Sequence, residues 1–294
     1  MRIMNSIPRK FLVTGANGYV GSRVVEYLRE QAYTVYELRH RISDEQNEFI
    51  FSYTLEEEVR ESIFENVDVL IHCAYDFRWT KWEDIKRVNV DGSIRLLKAA
   101  KKNGVKRIVY ISTISAFEGC KSLYGQAKMQ VEQVASDLGG AIVRPGLVYG
   151  KETQGMVGAL NKGISISKIL PLVGKGDYIQ YLAYDEDLCQ LILKLSQEKT
   201  VPNQPVIAAS PNKKTFQEIL HILAKMHNKK ILFIPIPWRF MWLGLKLCEI
   251  LGIKLGFRSD SLVSLVNQDP QPNFENILRM DIHFREFIPT LLVE

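Results

Sequence analysis

Tyr124 and Lys128 stand at the two ends of Tyr124-Gly125-Gln126-Ala127-Lys128. In a helix that spacing puts both side chains on one face, one turn apart. A phenol titrates near 10 and is a poor base at neutral pH; a neighbouring ammonium favours the phenolate and brings proton transfer into range. Just upstream, Ser112-Thr113-Ile114-Ser115 follows the apolar run Ile108-Val109-Tyr110-Ile111. Open α/β sheets gather their ligands at strand ends, and a hydroxyl there can hold a substrate oxygen that gains or loses a proton. Y-x-x-x-K recurs often by chance, so its weight depends on what surrounds it.

A second chemical feature precedes it. Phe11-Leu12-Val13 runs into Thr14-Gly15-Ala16-Asn17-Gly18-Tyr19-Val20-Gly21, a G-x-x-G-x-x-G turn that opens a helical pattern. Gly15 lets the chain turn sharply, Gly18 removes a Cβ where backbone must approach a pyrophosphate, and Gly21 lets helix pack close to strand. The helix start, with Asn17, Tyr19 and Val20 around it, offers N–H groups and partial positive charge to an anion. Strand before and helix after are the context a dinucleotide site requires. The nicotinamide of such a cofactor, positive when oxidised, adds to the ammonium in favouring a Tyr124 phenolate.

Cofactor choice rests on the end of the second strand, where a carboxylate holds the ribose 2′-hydroxyl of NAD. In Val35-Tyr36-Glu37-Leu38-Arg39-His40-Arg41 that position is Arg39, 18 beyond Gly21, while Glu37 lies earlier in the strand. A guanidinium forks onto a 2′-phosphate, with Arg41 to assist. The expectation is NADP(H) over NAD(H); the alternative is a solvated strand end.

The elements that position these residues recur along the first half. Short β-branched runs (Phe11–Val13, Val67–Ile71, Ile108–Ile111, Ala141–Val143) alternate with segments of helical period. Runs without polar alternation suit strands buried on both faces, and alternation with helices suits a parallel sheet. The fold class expected is α/β: a Rossmann, doubly wound parallel sheet with a small, interleaved C-terminal substrate-binding cap. Residues 8–150, with about 178–210 returning to the sheet, form the nucleotide-binding domain; 151–177 and 211–294 form the cap. The apolar stretch Ile231–Phe257 is interrupted by Arg239, Lys246, Glu249 and Lys254 and broken at its start by Pro235 and Pro237. It falls short of about 18 uncharged residues needed to span a bilayer. It reads as a surface helix under the cap, with a helix lying on a membrane as the alternative.

With these motifs in place the chain resembles the extended short-chain dehydrogenase/reductase family, the nucleotide-sugar epimerase/dehydratase group. The resemblance is carried by TGANGYVG at 14–21, VDVLIHCA at 67–74, VNVDGS at 88–93, VYIST at 109–113, YGQAK at 124–128, VRPGLVYG at 143–150 and YDEDL at 184–188. It covers about residues 10–190 in order, and only loosely the remainder. The resemblance implies that Tyr124 is the acid/base and that Lys128 binds the nicotinamide ribose and assists Tyr124. It makes Thr113 the hydroxyl that orients substrate, four residues before Phe117, with Ser112 as the other candidate. Asn89 matches the family Asn after the fourth strand, and Ala74, preceded by Cys73, the small residue beside the cofactor. A dimer is also implied.

The chain departs from the family pattern too. Phe51-Ser52-Tyr53 stands where an Asp-Leu contacts adenine, Tyr75 replaces the second alanine of H-x-A-A, and Leu147 stands where an Asn often helps hold substrate phosphate. Arg258 is a candidate phosphate contact from the cap, a solvated arginine being the alternative. Trp79, in the aromatic loop Tyr75–Trp82, is a candidate to stack on a sugar, with packing under the cap the alternative. His72 reads as a structural histidine at a strand end. The activity expected is reduction of a keto group of an activated sugar, a nucleoside-diphosphate 4-keto-sugar, with NADP(H). An epimerase with tightly bound NAD(P) and a non-catalytic NADP(H)-binding scaffold remain as alternatives. A dehydratase ranks lower, because Ile114-Ser115 rather than an Asp-Glu pair follows Thr113.

Composition bounds the rest. Apolar residues are 46% and charged residues 24% of 294, a globular balance that excludes disorder and coiled coil. The net charge of +5 comes from scattered lysines and arginines without a block of like charge, so nucleic acid is not expected as a partner. Membrane binding is not expected either. Cys73, Cys120, Cys189 and Cys248 form no C-x-x-C pair, which speaks against a zinc knuckle or disulfide scaffold and for a reducing compartment. The stretch MRIMNSIPRK lacks the apolar core of a signal peptide; the expected location is the cytoplasm.

Overall fold

Apolar runs covered on both faces become the strands of one sheet. β1 (Lys10–Thr14), β2 (Thr34–Arg39), β3 (Ile50–Ser52), β4 (Val69–His72), β5 (Arg107–Ile111) and β6 (Ala141–Pro145) supply six of them. β7 (Leu147–Tyr149), β8 (Ile169–Val173), β9 (Ile179–Gln180) and β10 (Leu182–Tyr184) come next, then β11 (Val206–Ala208), β12 (Lys214–Thr215) and β13 (Leu232–Ile236). The computed structural model describes residues 10–40, 47–150, 154–253 and 257–287; Arg41 lies outside them. The seven-stranded sheet runs β11-β6-β5-β4-β1-β2-β3, and the pairings from β3 through β6 are all parallel. From β1 the chain winds outward to β3, then returns to β4 on the other side. The order therefore reverses between β1 and β4, the switch point where such sheets take ligands. The fold is the expected doubly wound Rossmann sheet.

The helices are α1 (Tyr19–Glu30), α2 (Trp82–Ile85), α3 (Gly92–Lys102), α4 (Leu123–Asp137) and α5 (Gly155–Ile166), then α6 (Asp185–Gln197), α7 (Phe216–Met226), α8 (Trp238–Ile250), α9 (Ser259–Val266) and α10 (Glu275–Arg279). Their apolar spacing shows where each one packs. α1 buries Val24, Val25 and Leu28, and α3 buries Leu96, Leu97 and Ala100. Between α2 and α3, Lys86–Asp91 is wound as a π-helix, a rare winding often found at functional sites. α7 starts at a capping box: the Thr215 hydroxyl accepts from the Glu218 N–H, and the Glu218 carboxylate accepts from the Thr215 N–H.

The chain divides into two compact units. One comprises Met1–Ser112, Ala127–Arg144 and Cys189–Val206; the other comprises Thr113–Gln126, Pro145–Leu188 and Ile207–Glu294. The second has its own core, with Tyr149, Val157, Leu172, Ile219, Leu223 and Leu262 among its buried members. Of the stretch 178–210 expected to return to the sheet, only β11 does so. β10 pairs in parallel with β7, and β9 pairs with β12. The Leu147 N–H donates to the Tyr181 carbonyl at 2.7 Å, which commits this strand to β7. Among the described residues no helix is long and apolar enough to cross a membrane.

Candidate active site

The glycine turn belongs to the first unit, directly after β1. Gly15 has φ +66°, and a Cβ there would lie 2.8 Å from Ala74 Cα. A Cβ on Gly21 would lie 2.2 Å from the Gly15 carbonyl oxygen. The protein itself therefore requires glycine at both positions, one for its left-handed backbone and one for helix-on-turn packing. Gly18 differs, since its nearest protein atom is the Gly15 oxygen at 3.2 Å. It is the N-cap of α1 and gives the helix no side-chain cap, and no acidic residue lies in the first turn. Asn17 and Gly18 are exposed and Tyr19 and Val20 half-buried. The start of α1 is thus a positive helix end with room for an anion.

Across the switch point, β4 ends at His72. The ring is buried between the Thr14 hydroxyl at 2.6 Å from Nδ1 and the Ser93 hydroxyl at 2.8 Å from Nε2. Burial pulls its pKa down to about 3, so it stays neutral and structural, tying β1, β4 and α3 together. Next, Cys73 is pushed up to about 12 by burial, which leaves it an inert thiol. The Ala74 N–H donates to Thr14 Oγ1 at 3.2 Å. Asn89, in the π-wound segment, spends its amide on one residue. Its Oδ1 accepts from the Asp76 N–H at 2.6 Å, and its Nδ2 donates to the Asp76 carbonyl at 3.0 Å. Asn89 therefore pins the loop after β4. Trp79 carries the Arg78 and Arg87 guanidinium groups 5.7 and 5.3 Å from its ring centroid, an arginine-flanked packing.

At the end of β2, Arg39 lies along Glu37: Nε donates at 2.7 Å and Nη2 lies 2.7 Å from the same carboxylate. Glu37 is fully buried and also pairs with Arg29 at 2.8 Å. Its carboxylate is held between two arginines and is not presented for a ribose hydroxyl. The expected Arg39 thus stands on a buried acidic support that sequence spacing alone did not reveal.

Lys128, on α4 in the first unit, is buried. Its Nζ donates to the Ile111 carbonyl at 2.8 Å and lies 4.9 Å from the Tyr110 ring centroid. Burial lowers it to about 8, against the opposing pull of Cys73 and Glu132. Glu132 is engaged by a bidentate fork from Arg144 at 2.9 and 2.6 Å. Ser112 donates its N–H to the Val143 carbonyl at 2.7 Å, and its buried hydroxyl has no hydrogen-bond partner among the described residues.

Thr113 and Tyr124 belong to the second unit, and there they meet: the Thr113 hydroxyl hydrogen-bonds the Tyr124 phenol. A Cβ on Gly125 would lie 2.3 Å from the Ser115 carbonyl oxygen, so the glycine after Tyr124 lets the start of α4 press onto the Thr113–Ser115 segment. Thr113 Oγ1 also accepts from the Ser115 N–H at 3.2 Å. Burial pushes the phenol up to about 12, the Thr113 bond opposing and the Asp260 charge assisting, so the expected shift towards phenolate is outweighed by burial. Sequence pattern does not single out Asp260. Its Oδ1 accepts from the Leu123 N–H at 2.8 Å and its Oδ2 from the Tyr124 N–H at 2.9 Å, so it caps α4. Arg258, the N-cap of α9, is two residues from that cap. The only signal for Asp260 was its place beside Arg258, because a contact across 136 residues leaves no local pattern. Among the described residues no cluster of His, Cys, Asp or Glu could hold a metal.

A profile of the NAD dependent epimerase/dehydratase family matches residues 11–208. The chain belongs to this family. An uncharacterized protein of Mycobacterium tuberculosis, Rv2047c, is 26% identical over 221 residues, 74% of this chain and 23% of that protein. The chain thus spans under a quarter of this relative's length. A UDP-glucose 4-epimerase of Vibrio cholerae is 24% identical over 269 residues, 81% of this chain and 82% of that one. Among solved structures, MoeE5 in complex with UDP-glucose and NAD superposes with a TM-score of 0.68 at 19% identity, covering 78% of this chain and 85% of that one. That likeness extends the agreement in fold.

Proposed function

We propose that this family member is a nicotinamide-dependent oxidoreductase that reduces a keto group of an activated sugar, a nucleoside-diphosphate 4-keto-sugar, with NADP(H). The observation that carries the reading is the Thr113–Tyr124 hydrogen bond. A reduction needs a proton donor beside a carbonyl oxygen, and a phenol hydrogen-bonded to a neighbouring hydroxyl supplies one. Thr113 is preferred to Ser112 because its hydroxyl meets that phenol.

The residues present fit a dinucleotide. The space at Gly18, where a Cβ would meet only the Gly15 oxygen at 3.2 Å, and the uncapped helix start there suit a pyrophosphate. When bound, the cofactor supplies the hydride. Tyr124 gives its proton to the carbonyl oxygen, Thr113 orients that oxygen, and Lys128, one turn along α4, favours the phenolate left behind. Arg39, backed by Glu37, supports the phosphorylated cofactor because it sets a cation where NAD enzymes place a carboxylate. Arg258 and Trp79 stay candidates for the substrate's phosphate and sugar.

A second reading, an epimerase with tightly held NAD(P), is supported by the similarity to the Vibrio cholerae UDP-glucose 4-epimerase. A panel of sugar nucleotides and their keto derivatives, followed by NADPH absorbance, separates the two. Stoichiometric NADPH consumption supports reduction. Interconversion of sugars without net consumption replaces it with epimerisation.

A further inference from the structure

Ten of the twelve large apolar side chains that stand exposed among the described residues fall between Ile166 and Ile253, in the second unit. α8 carries four of them. Its inner residues Trp238, Met241, Trp242 and Leu245 pack on the unit's core, yet no residue of α8 is fully buried. Phe240, Leu243, Leu247 and Ile250 are 70, 60, 55 and 73% exposed. They recur at helical spacing and form a second apolar stripe on the outer side. The β8–β13 ribbon repeats the pattern. Leu170 and Phe233, paired across the strands, pack inward, while the register pair Ile169 and Leu232 stands 57 and 60% exposed.

Charge decides what such a face suits. Residues 225–258 hold seven lysines and arginines against one carboxylate, Glu249, a formal +6, where the whole chain sums to +5. Of these cations Lys225, Lys230 and Arg239 are exposed. Glu249 is engaged internally, accepting from Ser259 N and Oγ at 2.8 and 2.9 Å and pairing with Lys246 at 3.4 Å. A second copy docking the same face would set like charges against each other. An anionic bilayer would instead match both the apolar stripe and the cations of the same segment.

We propose that α8, with the exposed side of the β8–β13 ribbon beside it in sequence, is a surface for binding anionic membranes. α8 lies in the lipid interface with Phe240, Leu243, Leu247 and Ile250 inserted, and the surrounding cations meet lipid phosphates. The helix lies on the bilayer and does not cross it. This inference is independent of the proposed reaction and departs from the expectation of a helix under the cap, because the outer stripe is exposed among the described residues.

The test is sedimentation of the full chain with vesicles of phosphatidylcholine, with and without phosphatidylglycerol, at low and high salt. Expected is binding to the phosphatidylglycerol vesicles about tenfold tighter than to neutral ones, weakened by salt. The pair Leu243→Ser and Leu247→Ser should abolish it with an unchanged thermal midpoint, since both side chains are exposed. Lys230→Glu with Arg239→Glu should remove the preference for the anionic lipid. Three results would overturn the proposal: no binding to either vesicle, binding unaffected by the serine pair, or a dimer that the serine pair dissociates without any vesicle binding, which would assign the face to a second copy.

Discussion

The Asp260 carboxylate accepts the Tyr124 backbone N–H at 2.9 Å, and with its other oxygen the Leu123 N–H at 2.8 Å. A residue of α9 therefore fixes the first turn of the helix that carries the proposed acid. Asp260→Ala should lower stability by about 1 kcal/mol, the usual effect of losing a helix cap. Because Tyr124 would then be held less firmly, kcat should fall about tenfold while the cofactor Kd stays constant. Asp260→Asn keeps an accepting oxygen and should recover most of the loss. Equal losses for both variants, or a matching rise in cofactor Kd, would remove Asp260 as a positioning residue.

Tyr124→Phe removes the proton donor and keeps the ring. The expected loss in kcat is about 10²–10⁴-fold, the range for a general acid, with NADPH affinity unchanged by fluorescence titration. Thr113→Val should show a smaller loss expressed partly in KM, since Thr113 orients the oxygen and gives up no proton.

Much of this could be read from local pattern. The glycine turn, the alternation of β-branched runs with helices, and Tyr124 and Lys128 one turn apart are short-range features, and the sheet and the helix start follow from them. Features made by distant residues were not legible. Asp260 reaches Tyr124 across 136 positions, and Arg29 reaches Glu37 from the preceding helix. The place of the stretch 179–184 is not legible either, because a short apolar run looks the same whether it joins the main sheet or, as here, β7 and β12. α8 was ambiguous for a related reason: with apolar residues on both sides, its sequence does not say which side is covered.

The glycine turn gives a graded prediction. Gly21→Ala drives a Cβ to within 2.2 Å of the Gly15 carbonyl oxygen. Backbone must move, and the expected loss is about 1–3 kcal/mol in stability, as for overpacked cores, together with cofactor binding. Gly18→Ala meets only the Gly15 oxygen, at 3.2 Å, so it should fold nearly as well while still weakening cofactor binding. Denaturation midpoints and cofactor titrations of the two variants separate the effects.

His72 predicts an acid-side dependence. Its folded pKa is about 3 against 6.5, so between those values the unfolded chain binds a proton that the folded chain does not. Stability therefore falls as pH drops from about 6.5 towards 3. His72→Asn loses the hydrogen bonds to Thr14 or Ser93 and should be less stable at pH 7 by about 1–3 kcal/mol. It lacks the titration, however, so the gap between the two proteins should narrow steadily on acidification. A gap that stays constant down to pH 4 would mean that the ring titrates normally.

Arg39 bears on the cofactor. Its guanidinium is anchored on the buried Glu37 carboxylate at 2.7 Å, so it is oriented without a ligand and loses little freedom on meeting a phosphate. Arg39→Ala should raise the Kd for NADPH about tenfold or more, the worth of one charge-assisted hydrogen bond, and leave NADH nearly unchanged. The variant also leaves Glu37 with Arg29 as its remaining ion-pair partner, so some loss of stability is expected, and binding must be measured well below the midpoint of unfolding. Glu37→Gln, which keeps the shape but removes the anchoring charge, should weaken NADPH binding to a lesser degree. If NADH binds as tightly as NADPH to the unaltered protein, Arg39 is only a strand-end cation paired with Glu37, and the reductive reading loses its preferred cofactor.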